Sequence, residues 1–175
     1  YSAVLIGPWG ALKEAARAVG STAWLAYAAA FLALSLLVVP GLFWLSVRLG
    51  QGRSPTPPRV LFAGYATVLV PLGLTAWMAF SLSFVLANLS YAWPVLSDPF
   101  GWGWNLLGTA ALAWAPYFSG LVPYLQVPLL LGGLVAAVAL ALHTARQHGQ
   151  SSWAALPVVV FCAVATLELL GLYVA

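Results

Sequence analysis

Apolar residues run along this chain in long blocks that do not alternate, and polar residues gather in the gaps between them. Four blocks, 22–49, 60–89, 122–146 and 153–174, each reach the roughly 20 mostly apolar residues that a helix needs to cross a bilayer. They are rich in Leu and Ala and lack the in–out alternation of barrel strands, so they predict helices. Ser21 or Thr22 can cap the first block. Pro40-Gly41 predicts a kink in its second half. The second block is longer than the bilayer requires, and Pro71 with Gly73 supplies a place for it to bend. Pro123 and Pro128 fall in the early turns of the third block, where Pro128 can bend it, and Pro157 falls near the start of the fourth.

The gaps carry their own signals. Residues 50–58, GQGRSPTPP, form a loop by composition. Residues 90–121 form a longer, structured loop at a membrane surface, with prolines and glycines that do not suit a helix interior. Within it, Asp98-Pro99 favours a turn, and Asp98 can cap a helix or accept backbone N–H groups from the Gly101–Gly103 turn. A short helix is expected over 104–115, re-entrant or lying on the surface because it cannot span. Residues 7–20 predict an amphipathic helix in the headgroup plane. Pro8 suits its first position and Gly20 the residue just past its end. Trp9, Leu12, Ala16 and Val19 share one face, and Lys13, Glu14 and Arg17 the other. The expected architecture is therefore all-α: one polytopic membrane domain of four transmembrane helices, an in-plane N-terminal helix and a short helix in the central loop. The chain opens at Tyr1 and stops right after an apolar run, which reads as a piece of a longer polypeptide.

Composition strengthens this picture. Charged residues are 5% of the chain and apolar residues 63%, whereas soluble domains carry roughly 25% charged residues. Lipid must be the solvent for most side chains. The basic residues are Lys13, Arg17, Arg48, Arg53, Arg59 and Arg146, and the acidic ones Glu14, Asp98 and Glu168. Arg48, Arg53 and Arg59 surround the 50–58 loop, and His143, Arg146 and His148 end the third block. The positive-inside rule puts both on the cytoplasmic side and both chain ends on the outer side; a bacterial cytoplasmic membrane is the expected location. No basic stripe with interleaved aromatics exists, which excludes a nucleic-acid footprint. Cys162 is the sole cysteine, so no intramolecular disulfide can form, and His143 and His148 cannot complete a four-ligand zinc or iron–sulfur site with it.

Few residues could carry chemistry. Glu168 is the only acidic residue in a span, where a charge costs roughly 2.5–3.5 kcal/mol on insertion scales. It could accept protons or pair with a cation, although its place toward the outer end also suits contact with headgroups. His143 and His148 lie five apart on one helix end and cannot grip one haem iron from both faces. Asn88, Asp98, the Trp102–Trp104 pair, Asn105, Tyr124 and Gln126 gather near the outer interface, where aromatics with a few polar groups suit a quinone or lipid head. The candidate cofactor-binding residues are thus Asp98, Trp102, Trp104, Gln126, His143 and Glu168. No serine–histidine–acid set, phosphate-binding glycine loop or metal-ligand spacing is present.

The runs Leu69-Val-Pro-Leu-Gly-Leu and Leu96-Ser-Asp-Pro-Phe-Gly-Trp-Gly-Trp-Asn resemble the membrane part of bacterial polytopic ferredoxin-type proteins that carry 4Fe–4S clusters. The resemblance covers mainly residues 60–110, and the cluster cysteines of such proteins have no counterpart here. It implies a setting in respiratory or photosynthetic electron transfer and assigns no residue a role. The expected function is that of a membrane subunit or anchor of a larger complex. Other subunits would dock on Gly/Ala helix faces such as Gly132-Gly133, and haem, iron–sulfur or quinone would sit in those partners. The alternatives are a component of a small-solute transporter or channel, or a purely structural subunit.

Overall fold

A computed structural model describes residues 14–17, 19–52, 54–113, 115–116 and 118–174, and all regular structure among them is helical. Four helices among them are long and apolar enough to cross a membrane: Thr22–Gln51, Pro58–Ser97, Val122–Gln147 and Ser152–Tyr173. The protein is a multi-pass membrane protein.

The first span starts where expected. Gly20 takes a left-handed φ of 87°, and the Ser21 hydroxyl accepts the Trp24 N–H at 3.1 Å. Helix α1, Thr22–Ala33, runs into a π-helical turn, Leu34–Val38, and then into α2, Val39–Gln51. Pro40 explains the irregularity. It has no N–H to give, and its ring crowds the carbonyl one turn back. The ladder widens there, and the Val39 N–H reaches back to the Leu34 carbonyl.

The second span is divided. Helix α3, Pro58–Ala66, breaks at Thr67 and Val68, and α4 runs from Leu69 to Asn88. The break falls four residues before Pro71, where the proline removes a hydrogen bond; Pro71 then sits harmlessly in the first turn of α4. A 3-10 turn, Leu89–Tyr91, leads into α5, Ala92–Ser97. Forty residues would reach about 60 Å as one straight helix, twice the roughly 30 Å of hydrocarbon, so the breaks are needed. The third span, α6, is continuous from Val122 to Gln147, with Pro128 inside it. The fourth opens with a 3-10 turn, Ser152–Ala155, and continues as α7, Leu156–Val174.

The expected helix over 104–115 does not form: its described residues are turns and irregular backbone. Gly108 adopts a left-handed φ of 71°, and the Asn105 side chain captures the Ala110 N–H that a helix would use. The short helix of this loop is α5 instead. Residues 7–13 and 18 of the expected in-plane helix lie outside the described residues. Of the remainder, Glu14 and Ala15 are helical, and Arg17 pairs with Glu14 at 2.7 Å.

Helix α6 is the hub. It packs on α4 and on α7, while α7 also packs on α2. Leu130, Gly133, Ala137 and Ala141 are buried at helical spacing along it. A Cβ added at Gly133 would land on the Thr75 side chain of α4. This small-residue face is therefore filled by the chain's own helix, which approaches closely because Gly133 has no side chain. At the basic end, Phe43 of α2 meets Phe62 and Phe161 edge-on, at 5.5 and 5.4 Å between ring centres. Tyr65 donates to Gln150 Oε1 at 3.2 Å. The N-terminal half of the first span is different, because neither α1 nor the π-helical turn buries a residue.

Candidate functional site

The central loop is tied together by several side-chain hydrogen bonds. Ser97, the last residue of α5, is fully buried. Its hydroxyl donates to Asn105 Oδ1 at 3.0 Å and accepts the Leu107 N–H at 3.2 Å. Next to it, Asp98 spreads its carboxylate over the turn that follows. Oδ1 accepts the Trp102 N–H at 2.9 Å and Oδ2 the Gly103 N–H at 2.8 Å. Gly101 and Gly103 supply the left-handed backbone this turn requires, with φ of 67° and 82°. Thr109 ties the far side by donating to the Trp93 carbonyl at 2.9 Å, and buried Ser90 accepts the Ala115 N–H.

This frame presents three rings. Phe100 stacks on Trp102 at 5.0 Å, and Trp104 stands edge-on to both at 5.8 and 5.1 Å. Trp102 remains 68% exposed and Phe100 63%. An exposed aromatic cluster of this kind fits the level of the headgroups, where rings are enriched. Asp98 serves here as a clamp, since each of its oxygens already holds a backbone N–H.

The other expected site residues lie apart from this cluster. Gln126, in the second turn of α6, is completely buried. Its amide donates to the Ala79 carbonyl at 2.9 Å and to Ser83 Oγ at 2.6 Å, joining α6 to α4. Its Oε1 has no hydrogen-bond partner among the described residues. An unpaired buried acceptor costs about 1–3 kcal/mol. His143 is exposed near the end of α6, while the His148 ring lies across Gly64 of α3. Glu168 stands exposed on α7 beside a groove of about 460 Å³. Among the described residues no three of His, Cys, Asp and Glu converge to hold a metal ion.

Of the six candidates, only Asp98, Trp102 and Trp104 come together. Phe100 and Ser97 complete that group and were not singled out from the sequence. Phe100 carries no polar signal, and the role of Ser97 depends on contacts eight and ten residues away. Compared with known protein families, curated proteins and solved structures, the chain shows no significant match to any.

Proposed function

We propose that this chain is a non-catalytic membrane subunit that anchors a larger assembly. In this reading the assembly works in respiratory or photosynthetic electron transfer, with haem, iron–sulfur or quinone held by partner subunits. The basic loop faces the cytoplasm of a bacterium and the aromatic loop lies on the outer face. The observation that carries the anchor reading is the first span. Only 6% of its most apolar stretch is buried, against 28% in the third span. A stretch that barely packs on its own chain is free to pack on another, since lipid itself gives helices no hydrophobic drive to associate.

The test is isolation from native membranes in mild detergent, followed by native mass spectrometry and a visible absorption spectrum. The expected particle contains this chain together with other polypeptides and shows haem or iron–sulfur bands. A colourless single-chain particle that moves a solute across liposomes would replace the anchor reading with the transporter one.

A further inference from the structure

At the basic end, the loop that leaves α2 and the loop that enters the fourth span enclose a polar pocket of about 350 Å³. Gln51 and Ser54 line it from one loop, Gln150 and Ser151 from the other. The Ser54 hydroxyl accepts the Thr56 N–H and the Ser151 hydroxyl the Trp153 N–H, each at 3.3 Å. Each oxygen is thereby held in place, while its own O–H has no acceptor among the described residues. Gln150 accepts from Tyr65 through Oε1, and its Nε2, shielded from solvent behind the pocket, has no hydrogen-bond partner. Two hydroxyl donors on facing loops, with an amide behind them, thus lack an acceptor. A cation stands at the same wall. The Arg48 guanidinium lies over the Trp44 ring at 5.0 Å and donates to Gln51 Oε1 at 3.2 Å. Arg59 and Arg146 belong to the same end of the bundle. Free hydroxyls beside a guanidinium suit a phosphate-type anion.

Below the pocket the chemistry changes. An apolar groove of about 480 Å³ follows the seam between α2 and α7, with Leu42, Leu45 and Leu49 on one side and Leu156, Val160 and Val164 on the other. Pocket and groove adjoin at Gly50 and Pro157. A Cβ on Gly50, which lines the pocket, would stand 3.9 Å from Cδ of Pro157, which lines the groove. From Leu156 to Val164 the groove follows about 12 Å of α7, most of the roughly 15 Å in half of a bilayer core. Donors at the level of the span ends, above an apolar channel of that depth, match the two parts of a lipid.

We propose that the α2–α7 seam binds one membrane phospholipid of net negative charge, with its phosphate on Ser54 and Ser151 facing Arg48 and one acyl chain in the groove. The groove alone would fit a lipid chain or a helix. The donors and the cation at its head select the lipid, because an apolar helix would leave both hydroxyls without an acceptor. This site does not depend on the anchor reading above.

The test uses the protein as isolated from its own membranes in mild detergent, with whatever chains accompany it. It is titrated with phosphatidylglycerol, phosphatidylcholine or inorganic phosphate and read by native mass spectrometry. One phosphatidylglycerol is expected to be retained about tenfold more tightly than phosphatidylcholine, the worth of one hydrogen bond to a charged group. Inorganic phosphate is expected not to displace it. Arg48→Gln and Ser54→Ala, both outside the packed core, should each weaken retention, and Val160→Trp, which fills the groove without touching the donors, should release the lipid. Phosphatidylglycerol with a photoreactive acyl chain should label residues 42–49 or 156–164. Equal retention of the two lipids would overturn the proposal, as would retention that none of the three variants changes. Displacement by inorganic phosphate would make the pocket a site for the free anion. A photoreactive residue at Val160 that captures another polypeptide instead of lipid would make the groove a helix seat, and either result sinks the lipid assignment.

Discussion

Gly132 and Gly133 are neighbours on one helix, and the structure gives them opposite roles. Gly132 has open space where a side chain would go, whereas a Cβ on Gly133 would strike Thr75. Thr75 cannot easily turn away. It is β-branched, and its hydroxyl already donates to the Pro71 and Leu72 carbonyls at 2.9 and 3.2 Å. Gly133→Ala therefore has to part α4 from α6. Overpacking of this kind costs about 1–3 kcal/mol, against a helix-propensity gain of about 1 kcal/mol for replacing glycine. The net expectation is a loss of up to about 2 kcal/mol for Gly133→Ala and a gain of at most about 1 kcal/mol for Gly132→Ala. Thr75→Ala removes the atoms in the way, so the double variant should regain part of the loss, with a coupling of about 0.5–3 kcal/mol. The assay is equilibrium unfolding in mixed detergent and SDS micelles, followed by tryptophan fluorescence. Equal effects at 132 and 133, or no coupling to Thr75, would refute the register of α4 on α6.

Other expectations follow from the same geometry. Gly50→Ala puts a Cβ on the Ala154 carbonyl oxygen; backbone cannot step aside like a side-chain tip, so its cost should reach about 3 kcal/mol or more in the same assay. Phe43→Ala empties a site 2% exposed and should cost about 3–5 kcal/mol. Phe31→Ala, at a position 58% exposed on α1, should stay within about 0.5 kcal/mol in the isolated chain, and equal losses at the two positions would contradict a loosely packed α1. Asp98→Ala removes the clamp on the aromatic turn. Losing even about 1.5 kcal/mol, the low end for a bond to a charged group, should speed amide exchange at Trp102 and Gly103 about tenfold; unchanged exchange at both would mean that the carboxylate does not hold the turn.

The four spans were legible because lipid imposes long apolar runs, and the ends of the first and third differ from expectation by at most two residues. The helical run of the second span extends beyond 60–89 at both ends, from Pro58 to Ser97. Pro58 starts a helix rather than preceding one, as proline does at a first helical position. Pro94, taken as a breaker, fits inside the first turn of α5. The backbone break was tied to Pro71, but it falls a turn earlier, at the carbonyl that the proline leaves without a donor. Asp98 was legible because its partners lie four and five residues ahead. The false helix over 104–115 has the leucines and alanines of a helix. What prevents it is the set of contacts from Ser97, Asn105 and Ser90, and the last of these spans 25 residues. Periodicity carries no trace of such links. Nor could composition decide which of two adjacent glycines faces the chain's own helix.

Packing in this bundle is uneven from end to end, and the unevenness has a physical basis. Toward the basic end, spans 1, 2 and 4 meet through Phe43, Phe62 and Phe161. There Gly50 lies against the Ala154 backbone, and Tyr65 reaches Gln150. Toward the aromatic loop, the recorded ties join spans 2 and 3 through Gln126, Ser83 and Ala79. In water, the exposed flank of α1 would be driven onto the bundle by the hydrophobic effect. In hydrocarbon that drive is absent, and only close packing or polar pairing holds helices together. Helix α1 contains no polar residue after Thr22 except Tyr27, and its alanines find no facing notch among its own neighbours. It can therefore stand loose without penalty in lipid, beyond the π-helical turn that separates it from the packed half. A looseness of this origin cannot be cured by adding apolar bulk to α1. It would be cured by a helix that brings complementary shape.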